Sequence, residues 1–243
     1  DGMGELGSPE YPAEVNIRGY RPNTQVHIGQ LKKALKMLGK AKRPLFLAGG
    51  GVNIARANAE FTELAERTKI PVVTTVMGRG AIATDHPLYI GNLGMHGAYA
   101  CNMAVGECDL LFSIGTRFND RITGKLHSFA PHAQIVHIDI DTAAISKNVQ
   151  VDVPIVADAK EAVTRMLEYV TECDTEKWRA MVEGWKQEYP LQMKKKPIMT
   201  PQDVIDTINR VFEEVIVVTD VGQHQMFTAQ FIGLNEKKRL LMS

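Results

Sequence analysis

The sequence is short of cysteine, lacks an excess of charge of either sign, and has no long apolar run. Its three cysteines, Cys101, Cys108 and Cys173, form an odd set without metal-ligand spacing. That argues against a disulfide framework or a zinc centre and for structural thiols in a reducing, cytoplasmic setting. The 28 basic residues balance 28 acidic ones. No polyanion-binding surface is indicated, so nucleic acid is not an expected partner. No apolar stretch approaches the roughly 20 residues that cross a bilayer, so no membrane partner is expected. The first residues, Asp1-Gly2-Met3-Gly4-Glu5-Leu6-Gly7, have neither the basic nor the apolar region of a signal peptide. Repeats and low-complexity tracts are lacking as well.

What is present is an ordinary globular composition, 44% hydrophobic and 23% charged over 243 residues, enough to bury a full core. Residues 1–24, with Ser8-Pro9, Tyr11-Pro12 and Arg21-Pro22-Asn23-Thr24, carry turn chemistry and read as a linker. Apolar spacing predicts a helix over 25–42, where Ile28, Leu31, Ala34, Leu35 and Leu38 recur, and strands over 44–48, 71–76, 109–114, 134–140 and 154–156. Helices are expected over 53–69, 94–105, 143–148 and 159–170. Strands separated by helices of this length, with apolar runs suited to burial on both faces, predict an α/β fold: a doubly wound, mainly parallel sheet with helices on both faces, occupying 25–172. Residues 173–199 read as a helix and an exposed linker. A second unit over 200–243 opens with Thr200 as N-cap and Pro201 at the first helical position, followed by a strand over 215–219 and a loop over 220–227. The start without Met and the stop at Leu240-Leu241-Met242-Ser243 are read as those of a fragment.

The chemistry collects where strands end, which in open α/β sheets is where ligands bind. The strand over 109–114 runs into Gly115-Thr116-Arg117-Phe118-Asn119-Asp120-Arg121. There, a short helical turn lets Arg117 and Arg121 both face an anion, unless this is a solvated Arg/Asp turn. Gly49-Gly50-Gly51 follows a strand and offers bare amides to a diphosphate, or is simply a tight turn. Thr75, Val76 and Met77 end another strand and provide a hydroxyl and a flexible thioether where a flat ring can lie. Leu93, Gly94, Met95 and His96 repeat that character, and His96 reads as a packing or ligand-edge residue rather than a general base. Asp139 suits ribose hydroxyls, Asp141 suits capping of the following turn, and Asp158 either caps a helix or meets an adenosine.

Taken together, Ala48-Gly49-Gly50-Gly51, Leu93-Gly94-Met95-His96-Gly97, Gly115 through Lys125, Val136-His137-Ile138-Asp139-Ile140-Asp141 and Gly222-Gln223-His224-Gln225-Met226 resemble the catalytic large subunit of the acetolactate synthases. The similarity extends over residues 11–243, covering that family's central domain and the opening of its third. It implies a thiamine diphosphate enzyme that condenses pyruvate with a second 2-ketoacid, losing carbon dioxide, in branched-chain amino-acid synthesis. It also implies a central domain that binds FAD without net redox change.

By that resemblance Gly49, Gly50, Gly115, Arg117 and Asn119 line the flavin nucleotide, and Thr75, Val76, Met77, Leu93, Met95 and His96 its ring and ribityl side. Asp139, Ile140 and Asp158 lie at the adenosine end, with Arg18 or Arg21 adding a contact. Arg121 faces the substrate entrance, and Gln223 and His224 hold thiamine diphosphate. Asn119 stands where the family often has Asp, Ala157 where Gly is common and Phe227 where Trp is usual. The Gly-Asp-Gly run and later Asn that hold Mg²⁺ in the family do not occur, so the fragment is expected to be inactive alone. The full-length protein is expected to be a homo-oligomer, with a regulatory small subunit as a further partner. A pyruvate oxidase or glyoxylate carboligase shares the fold, but the Arg117–Arg121 run beside Gly94-Met95-His96-Gly97 favours the synthase. A stand-alone nucleotide-binding module leaves the second unit unexplained.

Overall fold

The computed structural model describes residues 22–195 and 197–242. Arg18 and Arg21, both named above as flavin contacts, lie outside the described residues. A helix, α1 (Ile28–Leu38), leads into strand β1 (Pro44–Ala48), and then into helices α2 (Gly50–Ile54) and α3 (Asn58–Thr68). Strands β2 (Val72–Thr74) and β3 (Tyr89–Asn92) precede α4 (Tyr99–Glu107), β4 (Leu110–Ile114) and the single turn α5 (Asp120–Thr123). Then come β5 (Gln134–Asp139), β6 (Val153–Val156), α6 (Ala159–Leu167) and α7 (Glu176–Glu188).

Six strands form one sheet in the order β3-β2-β1-β4-β5-β6, every neighbouring pair parallel. Every residue of β1 and β4 is buried, because both faces of these strands are covered. Alternate side chains of β1 feed two cores. Phe46 and Ala48 pack with Leu31 and Leu38 of α1, Phe61 and Leu64 of α3, and Val163 of α6. Leu45 and Leu47 pack with Cys101 and Ala104 of α4 and with Trp178 and Val182 of α7. Phe46 meets Phe61 and Phe112 edge-on at 5.9 and 5.7 Å, an arrangement that aligns ring edges with ring faces. Trp178 is 2% exposed, and its indole N–H donates to the Pro44 carbonyl at 2.9 Å, so α7 is sewn to the first strand of the sheet.

The second unit comprises α8 (Pro201–Val211), β7 (Val215–Thr219), α9 (Gln223–Phe231) and β8 (Lys238–Met242). Its two strands are parallel and its buried centre is Ile205, Ile232 and Leu234. Thr200 caps α8 as its sequence indicates, in a reciprocal arrangement with Asp203.

Several local expectations are corrected. The helix expected over 53–69 is two helices: Arg56 takes a left-handed φ of 53°, and Asn58 bonds back to Asn53 at 2.8 Å. Residues 143–148 are turns, not a helix; Asp141 accepts from the Ala143 N–H at 2.9 Å and Ser146 has φ 57°. The loop expected over 220–227 becomes α9 from Gln223 onward. Strands β3 and β8 are additional: Gly91 interrupts the apolar pattern of the first, and only three apolar residues mark the second.

Candidate functional site

The strands β1, β2 and β3 wind to one side and β4, β5 and β6 to the other. The crevice at such a reversal opens outside the carboxyl ends of β1 and β4. Gly49 follows β1 and Gly115 follows β4, and there the two backbones nearly touch. The Gly49 N–H donates to the Ile114 carbonyl at 2.8 Å, and the Gly51 N–H to the Gly115 carbonyl at 3.0 Å. A Cβ on Gly49 would lie 2.1 Å from the Gly115 oxygen, and Gly115 itself has φ 64°. These positions require glycine for close approach, and they leave a bare backbone floor at the crevice.

The remaining candidates stand around that floor on the same sheet edge. Thr75 is buried after β2, its hydroxyl accepting from the Gly78 N–H at 2.9 Å. Val76 is half-buried and Met77 is 58% exposed. Beyond β3, Leu93 is buried, Met95 is 66% exposed and His96 half-buried. After β5, Asp139 is buried and Ile140 exposed. Exposed thioethers at two adjacent strand tips are apolar surface without cover, suited to a flat ring. Gln223 and His224 lie on the first turn of α9, after Gly222 with φ 156°.

The two arginines are exposed, and among the described residues neither makes an ion pair within 4.0 Å. The spacing argument for them is corrected. A helical turn does follow β4, but α5 begins only after Asn119, and Phe118 is left-handed with φ 49°. Arg117 therefore lies outside the turn that carries Arg121, and loop shape rather than a shared helical face brings both to the edge. Asn119 precedes α5 without a side-chain cap bond, so its amide is uncommitted there. Asp158 is the N-cap of α6: one carboxylate oxygen accepts from the Lys160 and Glu161 N–H groups at 2.8 and 3.1 Å. Asp139 is partly committed too, accepting from the Asp141 N–H at 2.9 Å.

The loops are held by side chains that strand-end reading did not single out. His137, fully buried in β5, places Nε2 2.7 Å from the Thr116 carbonyl, with Asp139 at 3.7 Å and the Phe118 ring edge-on at 4.9 Å. Asn148 donates to the Phe118 carbonyl at 2.9 Å. Asn102 grips Gly94 from both sides, at 3.2 Å to its N–H and to its carbonyl. Asn53 donates to the carbonyls of Met77 and Arg79 at 2.9 and 3.0 Å. The one available signal is that His137, Asn102 and Asn53 are imidazole or amide side chains on otherwise apolar elements; Asn148, in a turn, carries none. A half-open cavity of about 390 Å³ lies away from the β1–β4 crevice, between β3, the end of α7 and α9, beside Arg79, Tyr89 and Gln230. The tips carry the convergent charges and glycines, so they are the stronger candidate site.

Among the described residues no group of three or more His, Cys, Asp or Glu side chains can hold a metal ion. No helix among them is long and apolar enough to cross a membrane.

Comparison with known proteins places the six-stranded unit in a family. The central domain of thiamine pyrophosphate enzymes matches residues 31–166. A probable acetolactate synthase large subunit of Methanocaldococcus jannaschii is 44% identical over 99% of this chain and 43% of its own length. Acetolactate synthase large subunits of Cyanidium caldarium and Buchnera aphidicola are 43% and 41% identical over 93% and 96% of this chain. The chain spans about two fifths of the length of these curated relatives. The match covers β1 to α6 and the whole candidate crevice, and on that basis the chain belongs to the thiamine pyrophosphate enzymes, through their central domain.

Proposed function

We propose that this chain is part of an acetolactate synthase large subunit and that its six-stranded unit is the FAD-binding module of that enzyme. The reaction would join pyruvate to a second 2-ketoacid with loss of carbon dioxide, in the cytoplasm, within a homo-oligomer that also engages a regulatory small subunit. The supporting observation is the convergence of strand tips at one switch point. Its floor is glycine backbone, its walls carry Arg117, Arg121, Met77 and Met95, and Asp139 closes the β5 end.

The division of labour follows from chemistry. The glycine floor at Gly49, Gly50 and Gly115 admits a diphosphate close to backbone N–H groups. Arg117 neutralises it, while Asn119 hydrogen-bonds without adding charge. Met77, Met95, Val76, Leu93 and Thr75 cover a flat ring and exclude water, and His96 borders it. Asp139 and Ile140 fit the adenosine end, with Asp158 contributing the oxygen left free by its cap. Arg121 pairs with the carboxylate of an incoming ketoacid. Thiamine diphosphate, when bound, supplies the electron sink. Gln223 and His224 at the start of α9 would hold it, with the unit over 200–243 opening that domain, the central unit spanning 25–172 and 173–199 joining them. Mg²⁺ finds no donor cluster among the described residues.

The test is binding. FAD titrated into the chain should shift its absorbance and stay with the protein on a desalting column. Arg117→Gln should weaken it about tenfold, the loss of one charge-assisted contact. Flavin that elutes free of wild-type protein at micromolar concentrations sinks the reading.

A further inference from the structure

Arg79 is 8% exposed, and among the described residues no carboxylate lies within 4.0 Å of it. A buried guanidinium without a counter-charge is costly, so its partners matter. One terminal nitrogen donates to the Ile232 carbonyl at 2.5 Å; the other reaches the Tyr89 hydroxyl at 3.4 Å. Burial pushes the Tyr89 phenol up, so it stays neutral. Ile232 is the C-cap of α9, where unpaired carbonyls concentrate the negative end of the helix dipole. The counter-charge of Arg79 is therefore a helix end, contributed by a segment 153 residues further along the chain.

The same helix is held at a second point, since Gln230 donates to the His96 carbonyl at 3.0 Å. A third tie lies just beyond it. The Thr84 N–H donates to the Leu234 carbonyl at 2.9 Å, and the Leu234 N–H to the Thr84 hydroxyl at 2.9 Å. Arg79 itself stands two residues after Met77, on a turn that cannot slide. A Cβ on Gly78 would lie 2.0 Å from the Ala48 oxygen, and Asn53 clasps the carbonyls of Met77 and Arg79.

We infer that Arg79 is a positioning residue: it locks the C-terminal end of α9 to the β2 loop, setting the register between the strand-tip crevice and the first turn of α9, which bears Gln223 and His224. One loop then serves two sites. Its first half, Thr75 to Met77, faces the crevice, and its second half carries the latch. This rests on the reading of the strand tips as a flavin site, and the effect should be confined to the ring side, next to Met77 and His96, leaving the adenosine end untouched.

The experiment combines backbone hydrogen exchange with ligand titration on the 243-residue chain and its Arg79→Gln and Arg79→Lys variants. In Arg79→Gln, amides of residues 226–234 should exchange at least tenfold faster, with β1 and β4 within twofold of wild type. FAD affinity should fall at least fivefold while ADP affinity stays within twofold. Arg79→Lys, which keeps a charged donor, should restore most of the protection. Unchanged exchange in α9 of the Gln variant, or equal losses for FAD and ADP, overturns the inference. A wild-type chain that binds neither nucleotide defeats the flavin reading instead, and the exchange arm still decides whether Arg79 holds α9.

Discussion

The backbone N–H of Met95 donates to the carbonyl of Arg121 at 3.2 Å, so the loops after β3 and β4 are joined at the residues that face the crevice. The contact depends on Gly94, which has φ 104° and whose added Cβ would lie 2.4 Å from that same Arg121 oxygen. An apolar side chain and a cation are thereby presented side by side by elements that are not adjacent in sequence.

Gly94→Ala should separate the two loops. Both the positive φ and the clash oppose the substitution, and the backbone has little freedom to yield because Asn102 holds Gly94 from both sides. FAD binding should weaken about tenfold or more, corresponding to about 1.4 kcal/mol or more. Titration at equal folded fraction checks it; unchanged affinity would mean that the crevice tolerates movement of Arg121.

Two glycine substitutions should move stability in opposite directions. Gly49→Ala drives a methyl into the Gly115 carbonyl at 2.1 Å and should cost about 3 kcal/mol or more in urea unfolding. Gly184→Ala lies in α7, exposed and with nothing within 4 Å of the added carbon, and should stabilise by about 0.5–1 kcal/mol. The pair separates close backbone approach from helix propensity.

The cap of α8 should impose an acid limit on that helix. Hydrogen bonds from the Thr200 hydroxyl and N–H hold the Asp203 carboxyl below its ordinary value. A carboxyl depressed in the native state contributes stability above its unfolded value near 3.9 and loses it as pH falls through the lower native value. Exchange protection of α8 should therefore drop over the acid interval below about pH 4 in the wild type. Asp203→Asn should show little pH dependence over that interval.

The thiols should divide by burial. Desolvation pushes Cys101 and Cys108 up to about 12, so at pH 8 they are almost entirely protonated as well as inaccessible. Cys173 is only half-buried. A thiol reagent at pH 8 should modify one site quickly in native protein, identified as Cys173 by peptide mapping, and all three after unfolding.

Much of the sheet was legible because strands buried on both faces leave continuous apolar runs. Leu45-Phe46-Leu47 and Leu110-Leu111-Phe112 announce β1 and β4 without any tertiary knowledge. The glycines, arginines and acids that follow those runs marked the crevice for the same reason, since ligand groups gather where strands stop. Less visible were β3, broken by Gly91, and α9, whose Gln-His-Gln-Met start has no apolar period. Arg117 and Arg121 also misled, because a left-handed Phe118 between them cannot be read from four-residue spacing.

By itself, then, the sequence determined most of the strand segments, β3 and β8 excepted, that helices cover both sides of them, and which loops carry charge. These depend on local periodicity and on residue chemistry at chain turns. Only the tertiary structure decided that Gly49 meets Gly115, that His137 holds the Thr116 carbonyl, that Trp178 bonds to Pro44 and that Arg79 ends on α9. Those pairings join residues up to 153 positions apart, and they are selected by the packing of the whole sheet rather than by any pattern along the chain.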